Sequence, residues 1–269
     1  MLKQRIITGL ILAILVSLAI FWLPNAVFDQ LALLIIVGLG SWEWAGLTGF
    51  THQRTRLAAV GFNLLLAELI FFLQPSLLLV LCISLIAWGF ILFLLYRYQP
   101  TTLDYQQRPW LLPSLGVVVL ISSWYALTYL HALHYAYVFY LISLIAFADI
   151  AAYFSGKRFG KHKLAPSLSP GKTREGAMGA LVVTLLWSCI GALFTDLSLG
   201  GGLVCIGFSM LAVVMSIAGD LFESLIKRQA GAKDSGNLLP GHGGILDRID
   251  SLLAEIPILT LGLFVIGRF

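Results

Sequence analysis

Runs of about 20 apolar residues, separated by short polar breaks, recur along almost the whole of this chain and constrain it more than any motif does. The stretch LLLVLCISLIAWGFILFLL, residues 77–95, holds no charged side chain. Of the 269 residues 59% are hydrophobic and 11% are charged, and the mean hydropathy is +0.93. A soluble domain carries about 25% charged residues. In lipid no water satisfies free backbone N–H and C=O groups, so each run must be a helix or a barrel strand, and unbroken apolar stretches lack the alternation of a barrel. The breaks predict helices near 6–23, 26–47, 57–73, 77–96, 110–130, 135–154, 176–194, 203–226 and 251–268. The expected fold is an all-α integral membrane protein with about nine transmembrane helices, forming a single polytopic domain over 1–269.

The charges orient it. With the N-terminus inside and nine alternating spans, Lys3 and Arg5 precede span one, Arg54 and Arg56 follow span two, and Arg97 and Arg108 follow span four. Lys157 to Arg174 follow span six, and Lys227, Arg228, Lys233 and Arg248 follow span eight. Only Arg268, of the 17 Lys and Arg residues, falls on the other side. The positive-inside rule makes the basic side, and the N-terminus, cytoplasmic. The first run is about 18 residues long and is followed by no small-residue cleavage pattern, so an uncleaved helix is expected rather than a signal peptide. Cys82, Cys189 and Cys205 stand singly in apolar runs and read as packing residues. Partners of so basic a face are anionic: membrane lipids for the scattered pairs, and no nucleic acid.

Two cytoplasmic loops carry more charge than orientation needs. GKRFGKHKLAPSLSPGKTREG, residues 156–176, sets Lys157, Arg158, Lys161, Lys163, Lys172 and Arg174 against one acid, Glu175. Its PGKT resembles the end of a P-loop, but Pro166 stands where that motif needs its first glycine, and no strand is predicted before it. What remains is a basic loop shaped by Gly and Pro, with Ser167, Ser169 and Thr173 as further donors, suited to holding phosphates. A cluster that merely sets orientation is the alternative.

The second is IKRQAGAKDSGNLLPGHGGILDRIDSL, residues 226–252. Upstream, Asp220, Glu223 and Lys227 are spaced i, i+3, i+7 and share one helix face; after the glycine-rich turn, Asp247 and Asp250 share another. Carboxylates at the ends of membrane spans are costly unless they are paired or bind a metal. Hard oxygen donors without cysteine, and with one nearby histidine, His242, suit Mg2+. Mg2+ implies phosphate chemistry, and Asp149, near the end of span six, is placed to join the same site. A salt-bridged helix start is the alternative for Asp247, Arg248 and Asp250.

From Ser224 to Asp250 the chain matches the pattern S-x-[apolar]-K-R-x4-K-D-x-[small]-x2-[apolar]-P-x-H-G-G-[apolar]-x-D-R-[apolar]-D at every position, and it resembles the signature of the phosphatidate cytidylyltransferases, or CDP-diacylglycerol synthases. ADIAAYFSGKRFGKHKLAPSLSPGKTREG, from Ala148 to Gly176, is similar to a second stretch of that family, while the first half agrees mainly in hydropathy. The resemblance implies transfer of CMP from CTP to phosphatidic acid by a Mg2+-dependent homodimer, with a second, monovalent cation in family members. It implies metal-binding roles for Asp220 and Asp247, with Asp250 beside them; Asp149 and Glu223 are further candidates by their placement. Asp220, Lys227, Asp247 and Asp250 are the expected catalytic set. Substrate contacts fall to Lys157, Lys161, Lys163, Ser169, Lys172, Thr173, Ser224, Arg228, Lys233, Asp234, His242, Gly243, Gly244 and Arg248. The N-terminal helices then occupy 1–135, and a catalytic half, with loops 156–175 and 227–250, occupies 136–269. One substrate is a lipid and the other a cytosolic nucleotide, so the site is expected on the cytoplasmic side of a bacterial plasma membrane.

A transporter is the competing class. Glu43, Glu68 and Asp149 lie in or near spans and could line an ion path, but the two halves show no self-similarity of the inverted-repeat kind. Glu43, between Trp42 and Trp44, reads as interfacial; Glu68 has no assignment. The aspartate spacing of the CDP-alcohol phosphotransferases is absent.

Overall fold

A computed structural model describes residues 2–99, 109–193, 197–239, 241 and 243–268. Arg108 and His242 lie outside the described residues. Among those described, the chain forms helical rods and one hairpin. They are α1 (Leu2–Trp22), α2 (Asn25–Leu47), α3 (Gln53–Leu73), α4 (Leu77–Arg97), α5 (Leu111–Leu133) and α6 (Tyr135–Phe159), followed by β1 (Lys163–Ala165), β2 (Ser169–Thr173), α7 (Arg174–Leu193), α8 (Leu199–Gln229) and α9 (Leu246–Val265). The 7 rods α2 to α8 are long and apolar enough to cross a membrane. The apolar part of α1 is the shorter Gly9–Trp22, and α9 carries Asp247, Arg248, Asp250 and Glu255 in its first half. The protein is an all-α integral membrane protein.

Two expectations change. The basic loop is not irregular: β1 and β2 pair antiparallel, Lys163 opposite Thr173 and Ala165 opposite Ser169, and buried Leu168 at the turn anchors the hairpin to the core. Strands of three and five residues, KLA and SPGKT, carry too little alternation to be read from sequence. Two helices also overrun their apolar segments. α8 continues to Gln229 because, opposite its charged face, Phe222, Leu225 and Ile226 stay buried, so the amphipathic period outlasts the lipid-facing run. α6 also runs past its apolar segment, to Phe159.

Of the seven membrane-length rods, α5 is the most buried. Trp124 sits at its centre, its ring nitrogen donating to the backbone oxygen of Asp29 (2.9 Å), and Ser123 donates to the backbone oxygen of Leu253 on α9 (2.8 Å). α8 and α9 approach backbone to backbone: a Cβ on Gly219 would lie 2.5 Å from the carbonyl oxygen of Asp250. A small residue at such a crossing is a common device of membrane helix pairs. Within α2, Leu33–Leu39 widens into a π-helix. One extra residue turns everything downstream by about 100°, which bears on where Glu43 points. Cys82 and Cys189 are exposed on the bundle surface rather than packed inside, a departure from the expected packing role.

Candidate active site

At the lysine-rich ends of the helices, α6, α7, α8 and the hairpin enclose a cavity of about 490 Å3. Asp149, Lys157, Lys163, Lys172, Thr173 and Asp220 line it. The hairpin is tied in place from outside: Glu175, in the first turn of α7, accepts the backbone N–H of His162 (3.2 Å) and pairs with its ring Nδ1 (2.6 Å). Thr173 is buried and caps α7, its Oγ1 accepting the N–H of Gly176 (3.1 Å), as short hydroxylic side chains do at helix starts. Held so, β2 extends Lys172 across the cavity to Asp220 on α8, Nζ to Oδ2 2.5 Å. Both side chains keep about a third of their surface open, 28% and 33%, so this ion pair contributes little to stability and remains available to an incoming phosphate. Ser224 completes the seat, donating to Asp220 Oδ1 at 3.4 Å.

The start of α9 builds the deeper half. Lys227 reaches from α8 between two carboxylates, Glu223 Oε2 (2.5 Å) and Asp247 Oδ1 (2.7 Å), with all three side chains largely buried. Asp247 uses its other oxygen to accept the N–H of Ser235 (2.8 Å), the hydroxyl of Ser235 (2.9 Å) and the N–H of Gly244 (2.8 Å). Asp250 lies within electrostatic reach of Asp220, Lys172 and Lys227, and Asp149 within reach of Lys172, Asp220 and Arg248. The two halves thus form one field of alternating charges.

A residue outside the two charged loops holds this arrangement together. Glu43 is 3% exposed and turned into the protein. Its Oε1 accepts the N–H of Ile245 (3.0 Å), and its Oε2 accepts the N–H of Leu246 (2.8 Å) and the hydroxyl of Ser235 (2.8 Å). It therefore supplies acceptors to the unpaired N–H groups at the start of α9 and shares Ser235 with Asp247. The loop passes so close that any Cβ at Gly236 or Gly244 would collide with the Glu43 carboxylate. An acidic residue inside an apolar run was the available signal; Ser235 offered none beyond its place in the signature. Glu68, for its part, accepts a hydrogen bond from Gln30 (3.0 Å).

Of the expected substrate contacts, Lys157, Lys163, Lys172 and Thr173 face the cavity. Lys161, Arg228, Lys233, Asp234 and Arg248 are exposed, Ser169 pairs with Ala165 in the hairpin, and Gly243 and Gly244 shape the turn under Asp247. Among the described residues, no three Asp, Glu, His or Cys side chains stand close enough together to hold a metal ion. Asp220 and Asp247 have different partners, Lys172 and Lys227. The donor set is still of the kind Mg2+ takes, carboxylate oxygens only, and Glu223 Oε1 is buried with no hydrogen-bond partner. The two ammonium groups sit where cationic charge is wanted.

The model of the cytidylyltransferase family matches residues 3–266. The chain belongs to that family. Among cytidylyltransferase relatives, the phosphatidate cytidylyltransferase of Pseudomonas aeruginosa is 41% identical over 269 residues, covering 99% of this chain and 98% of that protein. The protein of the same name from Haemophilus influenzae is 36% identical over 281 residues, 96% of each chain. That of Staphylococcus haemolyticus is 36% identical over 178 residues, 66% of this chain and 67% of that protein. The first two alignments run almost end to end, so the cytidylyltransferase likeness takes in Glu43 and the N-terminal helices as well as the signature.

Proposed function

We propose that this cytidylyltransferase moves CMP from CTP to phosphatidate, releasing CDP-diacylglycerol and pyrophosphate. The observation that carries the reading is the 41% identity to a phosphatidate cytidylyltransferase over 99% of the chain, together with a cavity of about 490 Å3 lined by Lys157, Lys163 and Lys172. A phosphate oxygen of the lipid attacks the α-phosphorus of CTP. The bond from that phosphorus to the oxygen bridging to the β-phosphate breaks, and pyrophosphate leaves with the electron pair. A phosphate monoester is largely dianionic at neutral pH, its second pKa being about 6, so no general base is needed. The chain's part is positioning and charge neutralisation. Lys157, Lys163 and Lys172 hold the triphosphate and stabilise the charge that builds on the leaving group, while Asp220, by pairing with Lys172, sets the direction of its ammonium group.

Mg2+ belongs to this reading. Asp220 and Asp247, with Asp250, Asp149 and Glu223 around them, would hold it, and when bound it would offset phosphate charge. The homodimer and the second, monovalent cation of the resemblance are part of the same proposal. So is a plasma-membrane location with the basic face cytoplasmic, which the placement of Lys and Arg supports.

Purified protein in mixed micelles is expected to release pyrophosphate only when CTP, phosphatidate and Mg2+ are all present, and chelation of the metal should stop the reaction. Pyrophosphate release without the lipid, or undiminished in excess chelator, overturns the corresponding part. Lys172→Ala should raise the KM for CTP by about tenfold or more, the effect of one charge-assisted hydrogen bond; unchanged KM for both substrates would reduce Lys172 to an orienting charge.

A further inference from the structure

At the opposite end of the bundle from the phosphate cavity, α6, α7, α8 and α9 enclose a second cavity, of about 270 Å3. Tyr137, Tyr140, Trp187, Cys205, Leu259 and Leu263 form much of its wall. The polar tips of two of these rings are engaged: the Tyr140 hydroxyl bonds Ser209 Oγ (2.8 Å) and the Trp187 ring N–H donates to Ser143 (3.0 Å). Ring faces and hydrocarbon are left to line the space. Phe139 and Ile190, each 44% exposed, border it on the lipid side.

The two cavities are separate. Leu144, Ala148, Ala180 and Val213 pack into a buried cluster, and the last three of them close the deep end of the phosphate cavity. On α6, Asp149 in one cavity and Tyr140 in the other are separated by about 13 Å of helix, roughly the depth of one leaflet in a hydrocarbon core of about 30 Å. Among the described residues the second cavity has one charged lining residue, Arg268, which is also the one Lys or Arg that the alternating topology sets apart from the basic face.

An apolar cavity of this size stays dry and takes apolar guests, and the guest a bilayer supplies is an acyl chain. A cation at the water-facing end selects a negatively charged headgroup. We propose that this cavity seats an acyl chain of an anionic phospholipid from the leaflet opposite the phosphate cavity, with the lipid phosphate on Arg268. This lipid is not a substrate, and its binding is independent of CMP transfer.

The test uses the full chain in phosphatidylcholine vesicles containing a little phosphatidylglycerol with a photoactivatable group at its acyl terminus, and crosslinked peptides are mapped by mass spectrometry. Label is expected on residues 135–143 and 187–191. Arg268→Gln should lower it by about fivefold, as one basic residue near an anionic surface contributes, while Arg268→Lys should retain it. Cys205→Phe, which fills the cavity, should lower it too, and both variants should keep wild-type kcat, showing an intact fold. Equal labelling by the same photolipid with a choline headgroup overturns the anionic selectivity. Label indifferent to Arg268→Gln and Cys205→Phe overturns the site. Competition by phosphatidate, with a raised KM for phosphatidate in Cys205→Phe, would make the cavity the substrate's own acyl subsite and overturn the proposal in that way.

Discussion

Purified Asp247→Asn should lose at least about a hundredfold in kcat while staying folded, its Tm within about 5 °C of the parent. The hydrogen bonds decide which way the new amide faces. One oxygen of Asp247 accepts three donors, from Ser235 and Gly244. Asparagine must keep its single oxygen there, because its NH2 group would meet N–H groups head on. The NH2 is then turned to Lys227, where the carboxylate accepted at 2.7 Å. Lys227 keeps Glu223 at 2.5 Å, so no charge is stranded in the interior and the several kcal/mol that follow from breaking a buried pair outright are not incurred. What the variant loses is one negative charge beside the field of lysines that receives the phosphates. Near wild-type turnover at saturating Mg2+ and both substrates would remove Asp247 from the reaction and leave it a capping residue. A collapse of Tm together with activity would also defeat the prediction, since it would show that Asp247 acts through the fold.

The sequence makes the local half of this site legible and hides the rest, for a reason of distance along the chain. Asp220, Glu223 and Lys227 lie on one helix, and their spacing alone predicts a shared face; the structure adds the Lys227–Glu223 contact at i, i+4. Run length likewise locates the helices to within a few residues, because the bilayer constrains every turn of backbone in the same way. Pairings between elements are different. Whether Lys172 meets Asp220 or Asp247 depends on the hairpin, and the hairpin depends on Leu168 finding the core and Glu175 finding His162. The two sides of the site are also inseparable from helices whose sequence looks merely apolar: Glu43 meets Ser235 across 192 positions. Its direction follows from a π-helical segment that no periodicity in Leu33–Leu39 announces. Division into an N-terminal part and a catalytic half describes the motifs, whereas the contacts of Glu43 run across it.

Glu43→Leu is the variant expected to damage stability most, by about 3 kcal/mol or more. The substitution leaves the N–H groups of Ile245 and Leu246 without the acceptor they have at 3.0 and 2.8 Å, in a place where water does not reach, since Glu43 is 3% exposed; the Ser235 hydroxyl keeps Asp247 as its acceptor at 2.9 Å. Each orphaned donor costs about 1–3 kcal/mol, and the carboxylate also loses its favourable position at the positive end of α9. Glu43→Gln separates stability from positioning. It preserves volume and one acceptor oxygen, so the fold should survive, but its NH2 group must face one of the donors that Glu43 now satisfies. The start of α9 and Ser235 should shift, and Asp247, which shares the Ser235 hydroxyl at 2.9 Å, should shift with them. Assayed well below its Tm, Glu43→Gln should therefore lose about tenfold or more in kcat, as misplaced catalytic geometry does, with a smaller change in the KM for CTP, because the cavity lysines stand on α6 and the hairpin. A purely structural Glu43 predicts the opposite pattern: a lowered Tm with kcat untouched in the folded fraction. Wild-type Tm and kcat together in Glu43→Gln would show that the hydrogen bonds joining α2 to the signature loop have no bearing on the site.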